Sequence, residues 1–256
     1  MQVVIFAGGL GTRLAEETSL RPKPMVEIGG KPILWHIMKV YASYGYNDFI
    51  VCLGYKGYMI KEWFANHFLH NSDVMIDIGK NEIKVLNKNG EDWKVTLIDT
   101  GADTMTGGRL KRVAPYIEED TFMLTYGDGV SDVNMHDLLK FHHEHGKLAT
   151  LTSVQPAGKF GRLSLDGDKI TQFAEKKDNE SAWINGGFMV LSKKVVDYIS
   201  GDDMPFEKDP LENIALDGEL MAFKHHGFWF AMDTLQNKMT LESLWSKGEA
   251  PWKLWD

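Results

Sequence analysis

The sequence predicts an α/β protein: a Rossmann-like, mixed and mostly parallel sheet flanked by helices. Three observations carry this. Strand-length apolar runs such as Val3-Val4-Ile5-Phe6-Ala7, "DFIVCLG" and "FMLTYG" lack polar alternation, as strands buried on both faces do. Helical stretches alternate with the first of them, which is what parallel neighbours need for their crossovers. The first run also stops abruptly at Gly8-Gly9, with Gly11, Thr12 and Arg13 just beyond, as at the ligand-binding rim of such a sheet.

The elements follow in order. "KPILWHIMKVYASYGY" sets Ile33, Ile37, Val40, Tyr41 and Tyr44 at helical spacing, with Pro32 suited to its first turn and Gly45 to its end. "DFIVCLGY" is the second strand. "KGYMIKEWFANHFL" is a helix that shares Met59, Trp63 and Phe64 on one face. The short strands "DVMIDI", "EIKVL" and "KVTLIDT" come next, broken by turns such as "NKNGED". "FMLTYGDG" is a further buried strand, and "DVNMHDLLKFHHEHG" a helix opened by Asp and closed by Gly.

From residue 148 the texture becomes short strands and frequent turns: "LATLTSV", "GRLSL", "KITQFAE" and "WINGGFMVLS". A helix over 207–217 and a last helix in "TLQNKMTLESLWSKG" complete the chain. No repeat or linker is apparent. One domain over 1–256 is expected, its second half (148–256) adding a small sheet and a C-terminal helical extension to the first (1–147).

Net charge is −8, which argues against a general nucleic-acid binder, although Arg13, Arg21, Lys23 and Lys31 cluster near the N-terminus. The single cysteine, Cys52, lies in an apolar run and reads as a buried hydrophobe in a reducing compartment. No apolar run approaches the roughly 18–20 residues of a membrane span. The chain opens on a strand rather than a basic segment with an apolar stretch, so a cytoplasmic protein without a leader is expected.

Glycine-rich turns present backbone N–H groups to phosphate. Two familiar phosphate loops do not fit: G-x-G-x-x-G would need glycine where Leu14 stands, and no glycine precedes Lys-Ser or Lys-Thr. The longer pattern "GGLGTRL…RPKPMVEIGGKPIL", with Lys23 ten residues after Arg13, resembles the sugar-nucleotidyltransferase family. Similarity continues through "DTMTGGRLKRV", "TYGDGVSD", "INGGF", "GELMAF" and "GFWFAMDT", and within the family it most resembles the glucose-1-phosphate cytidylyltransferases. No spacing argument singles out cytidine or glucose. Another nucleotide, another phosphorylated acceptor, or a non-catalytic subunit that binds sugar nucleotides are the alternatives.

The resemblance implies the nucleotide-diphospho-sugar transferase type of fold, with CTP and α-D-glucose 1-phosphate as substrates and CDP-glucose and pyrophosphate as products. That product feeds dideoxysugar pathways of cell-surface polysaccharides such as O-antigen lipopolysaccharide. The resemblance also implies a homo-oligomer, a hexamer among relatives. Carried over, Arg13 and Lys23 are catalytic: Arg13 attends the β- and γ-phosphates and Lys23 the α-phosphate. Phe6, Ala7, Gly8, Gly9, Leu10, Gly11, Thr12, Arg13, Lys23, Thr104, Arg109 and Gly127 would bind nucleotide. Asp128 and Asp233, each ending an apolar strand, would hold Mg²⁺. Glu175, Lys176 and Asn185 would bind the sugar phosphate, and this chain has Lys177 where many relatives have proline.

Four features also carry readings outside that scheme. Asp233 before Thr234 is also placed to cap the last helix, and Arg109 to be an ordinary helix-surface cation. His142 and His145 fit one helix face but have no third ligand, so His142, His143 and His145 read as a solvated helix end. Trp245, Trp252 and Trp255 form an apolar tail that needs covering, by its own core or by another subunit.

Overall fold

Successive residues of a strand point to opposite faces of the sheet, and β1 (Gln2–Phe6) feeds two cores in this way. Val3 and Ile5 join one buried cluster, Val4 and Phe6 the other. The computed structural model describes residues 1–87, 90–155, 162–166, 169–174 and 183–255.

The central sheet adds β2 (Asp48–Leu53), β3 (Lys94–Asp99), β4 (Thr121–Tyr126), β5 (Ala149–Val154), β6 (Ile184–Ser192) and β7 (Leu220–His225). Its order is β7-β5-β6-β4-β1-β2-β3. The β4-β1-β2-β3 half is parallel throughout, with Ile5 opposite Val51 and Thr125. β6 runs antiparallel to both β4 and β5, and β7 is parallel to β5. The mixed, mostly parallel sheet is the one expected. Three strands of the second half join it, whereas Arg162–Asp166 and Lys169–Ala174 form a separate antiparallel ribbon.

One face is covered by α1 (Ile33–Ala42) and α2 (Gly57–Ala65), the other by α3 (Thr106–Val113). α4 (Met135–His145) packs on the α1 side, α5 (Asp209–Leu216) on the α3 side, and α6 (Leu235–Ser246) leads into the C-terminal tail. Asn134, not an aspartate, caps α4: its Oδ1 accepts from the backbone of His136 and Asp137 at 2.9 and 3.1 Å.

The tail settles one open point. Trp252 is buried in this chain's own core, between Phe228 and Trp245. It also meets the fully buried His36, whose ring lies edge-on to Trp245 at 4.6 Å. His36 Nε2 donates to Ile28 O at 2.8 Å, which leaves Nδ1 to accept from Trp252 Nε1 at 3.4 Å. That pattern suits the neutral imidazole, and burial lowers its pKa to about 4.

The α4 histidines differ from expectation. His142 is 5% exposed, and Thr150 Oγ1 lies 2.8 Å from His142 Nδ1 and 2.7 Å from His145 Nε2. His145 Nδ1 accepts from Lys147 N at 2.9 Å, so its Nε2 carries the proton and donates to Thr150 Oγ1, whose own proton is free to go to His142 Nδ1. Burial and the neighbouring histidines bring His142 down to about 4.

An unfolded histidine titrates near 6.5, so between pH 6.5 and 4 the unfolded chain holds the extra proton. Stability from each group is complete above 6.5 and is lost as pH falls towards 4. For His36 the loss amounts to roughly 3 kcal/mol. Urea midpoints should therefore decline over that window. The gap between wild type and His142→Asn should narrow as pH drops from 6.5 to 4; a constant gap contradicts neutral burial of His142.

Candidate active site

β1 and β4 are parallel neighbours, so their carboxyl ends reach the same rim. β1 releases Ala7–Arg13 there and β4 releases Gly127 and Asp128, with Gly127 N bonded to Phe6 O at 2.9 Å. Gly11 turns with φ +65°, and a Cβ there would lie 2.7 Å from Thr18 Cγ2. Thr18 ties the loop further, donating from Oγ1 to Gly11 O and Leu14 O. The result is a cavity of about 320 Å³ at the rim. Of the expected nucleotide-binding residues, Phe6, Ala7, Gly8, Gly9, Gly11, Thr12, Arg13, Lys23, Thr104, Arg109 and Gly127 line it, as does Asp128. Leu10 is 56% exposed and does not.

Four charges meet beside this loop. Lys23 Nζ lies 2.5 Å from Asp128 Oδ2 and 2.8 Å from Asp233 Oδ1. Arg13 grips both Asp233 oxygens, Nη1 to Oδ2 at 3.0 Å and Nη2 to Oδ1 at 2.9 Å. The convergence comes from a short ladder: Gly129–Ser131 pairs with Trp229–Ala231, Ala231 opposite Gly129, and Met232 N donates to Asp128 O. Asp128 and Asp233 both lie just beyond the Gly129–Ala231 end of that ladder and are drawn together. Capping of α6 falls to Thr234, in a reciprocal box with Asn237, so the Asp233 side chain faces the cations.

Among the described residues no group of three or more His, Cys, Asp or Glu is placed to hold a metal. Two carboxylates with a cation already seated between them nevertheless suit a hard divalent ion that takes its other oxygens from phosphate and water.

Arg109 is no surface cation. It is 4% exposed, and its guanidinium donates to the carbonyls of Leu53, Gly101, Gly8 and Ala102 and to Thr100 Oγ1, at 2.7–3.3 Å. Burial lowers its pKa from the usual guanidinium range. Its donors thus tie the glycine loop to the end of β2 and to residues 100–102. Only glycine fits at position 8, because a Cβ there would stand 2.1 Å from Arg109 Nη1.

Asn185, on β6, donates to Tyr126 Oη at 3.4 Å. Glu175 and Lys176 lie outside the described residues. The structure adds Pro24, Met105, Thr106 and Tyr126 to the lining. Tyr126 was discoverable, since strand alternation puts it on the same side as Asp128.

The nucleotidyl transferase family matches the chain over residues 2–237. The chain is 56% identical, over the full length of both proteins, to the glucose-1-phosphate cytidylyltransferase of Salmonella typhi. It is 44% identical, again over both full lengths, to a probable glucose-1-phosphate cytidylyltransferase of Bacillus subtilis. Among solved structures, HddC from Yersinia pseudotuberculosis superimposes with a TM-score of 0.69 at 25% identity, covering 95% of this chain and 99% of its own. A UDP-glucose pyrophosphorylase complexed with UDP-glucose, at 13% identity, shares the fold with a TM-score of 0.69 over 96% of this chain and 98% of its own.

Arg109→Met would take the guanidinium donors away from four carbonyl oxygens and a hydroxyl, of which Leu53 O keeps Thr100 N and Oγ1 and Gly8 O keeps Tyr55 N. Urea denaturation should show a loss of about 2–4 kcal/mol. Arg109→Lys keeps the charge but not the planar fork and should recover less than half of that. Full recovery would mean that charge, rather than hydrogen-bond geometry, is what the site requires.

Proposed function

The chain belongs to the nucleotidyl transferase family, and on that premise we propose that it joins α-D-glucose 1-phosphate to CTP, giving CDP-glucose and pyrophosphate. The observation that carries this reading is the Lys23 ammonium seated between Asp128 and Asp233 at the edge of the glycine loop. Full-length identity of 56% to a glucose-1-phosphate cytidylyltransferase supports the choice of substrates.

An oxygen of the sugar phosphate attacks the α-phosphorus in line; the new P–O bond forms as the bond to the departing pyrophosphate breaks. That oxygen is already an anion, so the step needs no general base, and among the described residues no histidine lines the cavity. What it needs is positioning and charge management. Two unit charges at 4 Å interact by about 4 kcal/mol at an effective dielectric of 20, so each unscreened phosphate contact would be costly.

Arg13 and Lys23 are the counter-charges. Lys23 is paired with Asp128 and Asp233, and Arg13 with Asp233, which keeps the rim close to neutral. Enzymes of this family use a divalent metal, and we read it as Mg²⁺ held by these two aspartates. When bound, it supplies charge neutralisation at the phosphate oxygens. Arg13, on an exposed side chain, then orients the β- and γ-phosphates, and Lys23 neutralises charge at the α-phosphate. The backbone of Gly8, Gly9 and Gly11 provides close approach, and Thr104 and Arg109 line the nucleotide side.

We assign nucleotide binding chiefly to residues 1–147 and sugar binding chiefly to 148–256, within one catalytic domain. Glu175, Lys176 and Asn185 complete the sugar side in this reading. Among the described residues no helix is long and apolar enough to cross a membrane, and we place the enzyme in the cytoplasm. We also read it as a homo-oligomer. The ribbon Val74–Asp77 with Glu82–Val85 supports this, because its cross-strand pairs Val74–Val85 and Ile76–Ile83 form an apolar face, with Ile76 and Ile83 more than half exposed. A lone two-stranded ribbon is marginal in water, and a second copy of the same face would cover it.

Pyrophosphate release should be fastest with CTP and glucose 1-phosphate; turnover with UTP or dTTP but not CTP would refute the cytidylyl assignment. Lys23→Ala should lower kcat by about 10²–10³, the scale for removing one electrostatic stabiliser. A loss below tenfold would move that role elsewhere. Asp128→Asn should lower turnover sharply and raise the Mg²⁺ concentration required, with an unchanged thermal midpoint.

A further inference from the structure

Glu207 belongs to none of the recognised motifs, yet it joins two residues of the cavity wall. Its Oε1 accepts from Tyr126 Oη at 2.6 Å and its Oε2 from Thr106 Oγ1 at 2.6 Å. Tyr126 and Thr106 both line the cavity.

Every hydrogen in this network has a determined direction. Phe206 N–H donates to Thr106 Oγ1 at 2.8 Å, which leaves the threonine proton for Glu207. The Tyr126 proton goes to the other carboxylate oxygen, so the phenol oxygen is left as an acceptor. Gly187 N–H donates to Asn185 Oδ1 at 2.8 Å, which turns the amide nitrogen towards Tyr126. Trp229 Nε1 holds the adjoining backbone through Gly186 O at 2.6 Å. Burial and the nearby Glu207 carboxylate both raise the Tyr126 pKa, so the hydroxyl stays protonated.

The second Asn185 amide hydrogen has no acceptor among the described residues. Neither does the remaining acceptor capacity of Tyr126 Oη have a donor. One amide N–H donor beside one phenol acceptor is the complement of a hydroxyl group, which both accepts and donates.

We propose that Glu207 is a positioning residue for the acceptor sugar: it fixes the Tyr126 hydroxyl and, through it, the Asn185 amide, so that this pair binds a sugar hydroxyl. The proposal rests on the sugar-nucleotide reading above. Thr106, on the same carboxylate, ties the arrangement to the N-terminus of α3, so the sugar contact is set relative to the nucleotide wall. A site that pairs buried polar groups with substrate hydroxyls discriminates strongly against ligands lacking them.

The test compares CDP-glucose with CDP by titration calorimetry, using wild type, Glu207→Gln, Glu207→Ala and Tyr126→Phe. Glu207→Gln and Tyr126→Phe should each weaken CDP-glucose about tenfold, the scale of one hydrogen bond to a charged group. CDP affinity should stay within about twofold of wild type. The Glu207→Gln/Tyr126→Phe double variant should cost no more than the worse single variant, because both act through one chain of bonds. In turnover, KM for glucose 1-phosphate should rise while KM for CTP does not. Equal weakening of both ligands, or none in either, overturns the proposal, and so does simple additivity in the double variant. Wild type that binds neither CDP nor CDP-glucose would instead remove the functional reading on which the proposal rests.

Discussion

Lys23 places its ammonium between two carboxylates that lie 105 and 210 residues further along the chain, and the cavity rim is organised around that contact. Asp128 and Asp233 meet because a three-residue ladder aligns the strand ends that carry them. Two carboxylates at such range repel by several kcal/mol at an intermediate dielectric of about 20, so the fold brings them together only with a cation in attendance. That cation is Lys23, assisted by the Arg13 fork on Asp233. In the proposed reading Asp128 and Asp233 would hold a divalent ion, which would supply charge neutralisation there, and Arg13 and Lys23 would face phosphate.

Arg109 shows a different use of a buried cation. Lys23 faces carboxylates at the cavity edge, whereas Arg109 is surrounded by carbonyl oxygens beneath the loop. The two terminal nitrogens, held in a rigid plane, suit such a ring of acceptors, and a lysine would leave several of them unmet. The loop needs this because its own residues are glycines with no side chains to anchor it. Rigidity comes from below, and the backbone amides above stay open to a ligand.

The aromatic tail works at longer range. Trp245, Trp252 and Trp255 surround His36, and His36 in turn holds the carbonyl of Ile28. Ile28 lies in the hairpin that follows Lys23-Pro24-Met25. The C-terminus thereby braces the segment that presents the central lysine. An apolar tail that suggests an interface by composition alone is, for Trp252, part of the protein's own core.

Much of this was legible in the chain itself. Unalternating strands and crossover helices determined the sheet, and the glycines with Arg13 and Lys23 marked the rim where the cavity lies, because those signals are local and periodic. The contacts that needed tertiary structure are those between distant segments. Nothing near Glu207 tells of Tyr126 or Asn185, and nothing near Arg109 tells that its donors are spent on the loop's own carbonyls. Thr234, not Asp233, proved to be the cap, and His142 proved to be buried, because side-chain direction at an element's end depends on what packs there. Sequence by itself determined which residue types gather at the rim. Folding decided which of them touch, because hydrogen-bond partners are set by strand register and loop closure, and neither is encoded in local spacing.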